Sequence, residues 1–523
     1  MSGGPGWYRP AAMSTAAFLI FLPAAAFIAA LAGVVLSWKS TPLDGVSPAW
    51  RRAVLVGLPA IAFLATVQLD LGLVLDTDDA PITFRYAENL ASGRGFVYNE
   101  GERVLGTSTP LFALLLAAAR LASVGVETAA LIVALVSVAA AVIALLRIGR
   151  HLAGWPGALF AAALVLTEAP FLVYATQGME TTLYVSLILW CFVFHLEGRD
   201  VAAALLASLC VLTRLDGLAV PAALAVSHLI SRRWPSRWAL AAFVLPLMPW
   251  FLFCWIYFGS ILPQSMTAKL MHTRHSESFW MLRSLLLEGS MVFVPFGILG
   301  AARIFLEKAR DRSIALLAWL VVYVGAFTIT AIDAYPWYRI PPVPVAGLLA
   351  ASGLAWVATA LFGSSSTMRR PAFLAVIIAA LLPLFAQRYI RYNDSLVEYS
   401  SQLRVWERPR IATAEWLRDH APAGTTVAAS AIGHIGWISG LRVFDTSYLI
   451  NARPESDAAV LDEVRPEFVV GLDGDPLSGD FRLDHPDYEL ARSLAQREAP
   501  EIVYHVYKRK DVQLIVRPPA SPP

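Results

Sequence analysis

The sequence predicts an all-α polytopic membrane bundle of about 12 spans, followed by a small C-terminal exterior α/β domain. Three observations carry this. Hydrophobic residues make up 57% of the 523-residue chain and charged ones only 15%, with a mean hydropathy of +0.59, far more apolar than an ordinary soluble domain. Apolar runs of membrane-crossing length recur up to residue 387. After Gln387 the composition turns to the mixed pattern of a water-soluble fold, which divides the chain into 1–387, with an exterior loop at 76–126, and 388–523.

Taken in order, Met13 to Trp38 is apolar for longer than a signal-peptide core and lacks an obvious small-residue cleavage site, so it is read as a retained span. Further spans are expected at 53–75, 127–147, 152–174, 180–196, 200–213, 217–231, 239–258, 289–306, 313–333, 341–362 and 370–387. The pair 200–213 and 217–231 is short for two full crossings, and a single broken or re-entrant unit stays open there. Basic residues fall at alternate ends of these runs, at Lys39, Arg51, Arg52, Arg147, Arg150, Arg199, Arg232, Arg233, Arg237, Lys308, Arg310, Arg312, Arg369 and Arg370. The positive-inside rule assigns that side to the cytoplasm and leaves the motif-bearing loops and the C-terminal domain outside a plasma membrane.

In the exterior domain a helix is expected near Arg410 to His420, with strands at Thr425–Ala429, Phe468–Val470, Val503–Val506 and Val512–Val516. The end, Arg517 to Pro523, reads as a proline-rich tail. The formal net charge of +2 says nothing about nucleic acid, but the basic residues are scattered between apolar runs and form no groove-like stripe, so no nucleic-acid partner is expected. Cys191, Cys210 and Cys254 all fall inside apolar runs, so neither a disulfide framework nor a cysteine metal site is expected. Asp473-Gly474-Asp475, followed by Pro476, reads as a turn. No phosphate-cradling glycine loop is present, so a soluble nucleotide-sugar donor is not indicated.

The most informative stretch is Asp76-Thr77-Asp78-Asp79-Ala80-Pro81, with three carboxylates in six residues directly after an apolar run. Asp79 is a good N-cap, and Pro81 suits a first helical turn. From Ile82 through Tyr86 and Leu90, with Gly93 as the stop, the spacing predicts a short amphipathic helix lying along the bilayer. One cap needs only one acid. Three together repel unless a cation or a shared proton offsets them, which marks a site with tuned acidity.

From Asp78 through Gly101-Glu102-Arg103-Val104 to Leu111, the loop resembles the first exterior loop of actinobacterial terminal arabinofuranosyltransferases and their bacterial relatives in the GT-C class of polyprenyl-phosphate-sugar transferases. The resemblance extends to Gly178-Met179-Glu180-Thr181, to Leu212-Thr213-Arg214-Leu215-Asp216-Gly217, and to Leu262-Pro263-Gln264-Ser265-Met266-Thr267-Ala268-Lys269. Leu215 and Asp216 stand where proline and glutamate are commoner in that class, and Gln264 replaces a frequent asparagine. It implies a GT-C-like bundle that moves a sugar, arabinofuranose in the nearest relatives, from a polyprenyl-phosphate carrier to an acceptor hydroxyl on a cell-envelope glycan, lipid or protein.

By that resemblance Asp78 is the candidate general base, and Asp79 orients the acceptor or holds a divalent cation; the sequence leaves a metal at Asp78 and Asp79 open. A departing phosphate needs cations, for which Lys269, Arg339 and Arg214 are the candidates, with Arg274 in reserve. Arg85, Tyr86, Glu180, Trp337 and Tyr338 are candidates for binding acceptor or sugar. Glu180, and Thr213 with Asp216 as a capping box, serve equally well as helix-end stabilisers, and Arg339 beside aromatic residues fits interfacial snorkelling. His272, His275 and Glu277 lack the spacing of a zinc site. The alternative is a transporter or flippase of lipid-linked sugars, which would carry ionisable residues at mid-span; here the acids and bases gather at one face.

Overall fold

The computed structural model describes residues 57, 77–166, 171, 173–266, 268, 279–283, 293–308, 312–330, 335–362, 407–451, 460–473, 483–496 and 499–515. The expected spans at 13–38 and 370–387, all of 53–75 but residue 57, and the residues Lys269, His272, Arg274, His275 and Glu277, lie outside the described residues.

The helical part begins with α1, Asp79–Ala91, and α2, Pro110–Leu121. It continues through α3, Val126–Leu166; α4, Thr181–Leu196; α5, Asp200–Thr213; α6, Ala219–Ser231; and α7, Arg237–Phe258. It closes with α8, Val294–Lys308; α9, Ile314–Thr330; and α10, Pro342–Phe362. Among the described residues three helical stretches, Val126–Trp155, Arg237–Phe258 and Pro336–Ala360, are long and apolar enough to cross a membrane. The other apolar helices are shorter.

Two expected spans are one helical pair in α3, broken at Gly154, whose φ of 67° lies in the left-handed region that glycine tolerates best. The ambiguous pair at 200–231 resolves into α5 and α6, joined by the 3₁₀ turn Leu215–Leu218. Thr213 and Asp216 form no capping box: the Thr213 hydroxyl donates back to the Leu209 carbonyl, and Asp216 pairs with Arg214. Where α8 crosses α10 the backbones nearly touch. A Cβ on Gly300 would lie 1.9 Å from the Leu349 carbonyl oxygen, and one on Gly353 the same distance from that of Phe296, the small-residue contact by which apolar helices pack closely.

The C-terminal domain, expected from the sequence to be exterior, has a helix α11 over 407–420, a helix α12, Ile432–Ser439, and a five-stranded sheet. Its strands are β1, Thr426–Ala429; β2, Arg442–Asp445; β3, Phe468–Asp473; β4, Tyr488–Gln496; and β5, Ala499–Arg509, in the order β2-β1-β3-β5-β4. β1 runs parallel to β2 and β3, while β5 is antiparallel to β3 and β4. The expected strand at Val512–Val516 is not one: 512–515 is unpaired chain past the end of β5, its Ile515 N–H donating to the His420 carbonyl.

The bilayer-surface expectation for α1 is corrected by its burial. Ala80, Phe84 and Ala87, at helical spacing, join the apolar core of the bundle with Phe112, Leu116 and Val138. Ile82 and Tyr86, on another face, join the core of the exterior domain with Val427, Ile432, Val443 and Phe468. A helix with two apolar faces is buried between two bodies. Thus α1 is the shared element on which bundle and exterior domain meet.

Candidate active site

Asp78 stands at the N-cap position of α1, yet its side chain makes no cap hydrogen bond. It reaches across to the exterior domain instead. One carboxylate oxygen accepts the Gly433 N–H at 3.1 Å, and the other accepts the His434 N–H at 2.8 Å. These are first-turn amides of α12, where free N–H groups and the helix dipole favour an anion. The parallel strands β1 and β2 explain why α12 points there, since it follows the carboxyl end of β1, the usual place for a helix N-terminus to meet an anion in such sheets.

The Arg410 guanidinium completes the surroundings, 3.7 Å from the Asp78 carboxylate, 2.8 Å from Glu407 and 3.0 Å from the Tyr504 hydroxyl. His434 places Nε2 3.4 Å from Glu407. Burial disfavours its imidazolium, but the bond to Glu407 and the charge of Asp78 outweigh that and raise its pKa above the ordinary 6.5. Asp445, at the end of β2, is fully buried and accepts the N–H groups of Ser447 and Leu449. Burial is the main cause that pushes its pKa up to about 7, with the Asp78 charge adding to it against the lowering by the backbone donors. Asp79 is half-buried in the first turn of α1.

Two groups among the described residues bring metal-ligating atoms together: Asp78, Glu407 and His434, and, at the opposite end of the bundle, His195, Asp200 and His228. Each also has an arginine on its carboxylates. Arg410 neutralises the first, and Arg312 is bonded to Asp200 and to the His195 carbonyl in the second. In this arrangement the carboxylates of both sets are already paired with an arginine.

A second polar group lies at the Asp78 end. Glu180 precedes α4 and Arg214 follows α5, so the antiparallel pair brings them together. Arg214 Nη1 donates to Glu180 at 2.6 Å and its Nε to Asp216 at 3.0 Å, while the Tyr323 hydroxyl donates to Asp216 at 3.0 Å. The guanidinium carbon also lies 4.9 Å from the centre of the Tyr338 ring. Beside this network, both amide atoms of Gln177 and the hydroxyls of Thr181, Thr182 and Tyr184 are buried without a hydrogen-bond partner, each at a cost that native interiors avoid unless water or a ligand satisfies the group. Trp337 stacks on Tyr335 at 4.7 Å, Tyr338 packs against Phe327, and Arg339 lies 5.7 Å from the Trp280 ring centre.

Arg85 and Tyr86 serve the contact between loop and exterior domain. Arg85 donates to the carbonyls of Tyr98, Gly436 and Leu441 at 2.6–2.8 Å and to Asn99 at 3.3 Å. The Tyr86 hydroxyl donates to the Val104 carbonyl and accepts from the Gly106 N–H. Sequence reasoning missed Glu407, Arg410, His434 and Asp445, which approach Asp78 over more than 300 residues of chain. The local signal was Gly433 and Gly436, three apart on a short helix: a Cβ on the first would lie 1.6 Å from the Asp78 carbonyl oxygen, and on the second 1.9 Å from the Tyr98 hydroxyl.

A bundle of apolar helices with a small α/β domain seated on α1 is the architecture of solved GT-C structures, and the likeness is one of fold. The structure is similar to ArnT from Cupriavidus metallidurans bound to undecaprenyl phosphate, with a TM-score of 0.59 and 14% identity, covering 88% of this chain and 98% of that one. It is also similar to the Archaeoglobus fulgidus oligosaccharyltransferase tethered to an acceptor peptide, with a TM-score of 0.56, 13% identity and 81% and 69% coverage. The same archaeal enzyme, AglB, in complex with an inhibitory peptide and a dolichol-phosphate, gives 0.54 at 13% identity, covering 80% and 69%. Residues 391–514 match a family described as a domain of unknown function (DUF8728). No curated protein matches the sequence significantly.

Proposed function

We propose that this chain is an integral-membrane glycosyltransferase that moves a sugar from a polyprenyl-phosphate carrier to an acceptor hydroxyl at the exterior face of a plasma membrane. The observation that carries this reading is Asp78, a carboxylate fixed at the start of α1 in a GT-C fold. In the reaction the acceptor oxygen attacks the anomeric carbon and its proton passes to a carboxylate, for which Asp78 is our assignment. The bond from that carbon to the phosphate oxygen breaks, and the lipid phosphate leaves with the electron pair. Asp79, one residue on, orients the acceptor.

For the leaving phosphate we favour Arg339 and Lys269. Arg214 already gives Nη1, Nε and Nη2 to Glu180 and Asp216, so we assign it, with Glu180, to ordering the helix ends beside the unsatisfied polar atoms of Gln177, Thr181, Thr182 and Tyr184. We keep Trp337 and Tyr338 as contacts for the sugar, each with one ring face already taken, by Tyr335 and by Arg214. The first-loop resemblance favours arabinofuranose as the sugar. The test is release of polyprenyl monophosphate by the purified protein given a lipid extract of its own membranes. Asp78→Asn should lower the rate about 10²-fold or more, and a variant within threefold of wild type would remove Asp78 from the mechanism.

A further inference from the structure

We propose that the exterior domain, whose family match carries no assigned function, is a working part of the active site: Arg410 and the first turn of α12 hold the Asp78 carboxylate where transfer requires it. This rests on the reading of Asp78 given above. Docking the domain on the bundle does not need the contact. Arg85 with its carbonyl acceptors, the Tyr98 hydroxyl on the Ile432 carbonyl at 2.6 Å, and Asn99 bonded both ways to the Val443 backbone at 2.8 and 3.1 Å already join the two bodies. So do the apolar residues shared in the core around Tyr86.

A second docking device built on two carboxylates would be a poor choice, since Asp78 and Glu407 must both be taken largely out of water. What the arrangement does provide is orientation. The α12 amides fix each Asp78 oxygen in direction and leave each with a further lone pair, and Arg410 is itself held from two sides by Glu407 and Tyr504. Gly433 is required for this approach, because any side chain there would strike the Asp78 backbone. Arg410, Glu407 and the α12 amides are therefore positioning groups that act through Asp78, and the transfer site is complete only with the domain seated.

The experiment uses the full chain in lipid nanodiscs, with the same membrane lipid extract as donor, and pairs steady-state rates with amide hydrogen exchange over 432–439. Arg410→Ala should lower kcat about 10-fold to 10²-fold with donor KM within about twofold, because orientation and not ground-state binding is lost. Arg410→Lys should recover part of the rate, and the α12 amides of both variants should stay protected. An unchanged kcat in Arg410→Ala would overturn the proposal. So would a loss of rate matched by loss of amide protection, since Arg410 would then only hold the domain on. If the wild-type chain transfers no sugar, the functional reading fails by itself. The clamp is then judged by Asp78→Ala, which should speed exchange at Gly433 and His434 while peptides elsewhere in the domain stay protected; no change there would sink the clamp as well.

Discussion

Gly433 and Asp78 lie in backbone contact, so near that a Cβ added to residue 433 would be 3.0 Å from the Asp78 carboxylate carbon as well as 1.6 Å from its carbonyl oxygen. The carbonyl belongs to the backbone and the carboxylate is held by two α12 amides, so α12 itself must move. Gly433→Ala is expected to destabilise the seated domain by about 1–3 kcal/mol, the range for overpacking. The control is Gly440→Ala, at a left-handed φ of 68° with nothing within 4 Å, which should cost about 1 kcal/mol from backbone conformation alone. Thermal unfolding checks the ranking, and amide exchange of Asp78 and Ala80 should rise only in the first variant.

The Glu180–Arg214 pair is buried, with side-chain exposures of 6% and 7%. Breaking one side of such a pair leaves an unpaired buried charge and costs about 3–5 kcal/mol. Arg214→Met leaves two acids facing each other and should destabilise more than Glu180→Gln, which leaves Arg214 with Asp216. Equal melting temperatures for the two variants would contradict this.

His434 and Asp445 give the exterior domain a pH dependence of defined sign. His434 has its folded pKa raised, so the stability it contributes is fully present below pH 6.5 and is lost as pH rises through the folded value. Asp445 has its pKa raised from 3.8 to about 7, so the folded state holds its proton longer than the unfolded one and stability again falls as pH rises across that window. Both act in the same direction. The domain should melt at a higher temperature at pH 5.5 than at pH 8, and His434→Gln should flatten the part of the slope above pH 6.5.

The orphaned polar atoms of Gln177, Thr181 and Thr182 lead to a fourth expectation. Replacing a buried unsatisfied group with an apolar one of similar shape removes a desolvation cost, so Gln177→Met or Thr182→Val should leave stability unchanged or raise it. If these atoms meet the sugar, the same variants should lose turnover. A variant that is less stable and fully active would place both side chains in the fold and not in the site.

Much of this was legible in the sequence because it depends on local pattern. The helix at Asp79–Ala91 follows from Pro81 and the spacing of Ile82, Tyr86 and Leu90, and α4, α7, α9 and α10 lie close to the expected apolar runs. Ala80, Phe84 and Ala87 formed a second apolar face that the bilayer reading overlooked, and that face decides where α1 goes. β4 was missed because Glu489 and Arg492 break the apolar alternation on an edge strand, and β2 because charged residues, Arg442 and Asp445, stand at both its ends. The partners of Asp78 could not be read at all. They come from the start of α12 and from α11, and a contact spanning more than 300 residues leaves only one local trace, two glycines three apart where two backbones must pass closely.

The most direct test of the central claim is mass spectrometry of the lipid products. The purified chain, supplied with a lipid extract of its own membranes, should convert a polyprenyl-phosphate sugar to the free polyprenyl monophosphate, and Asp78→Asn, inserted and folded, should fail to do so. If the lipid-linked sugar stays intact with wild-type protein, or is consumed equally by Asp78→Asn, the chain is not a transferase that works through this carboxylate.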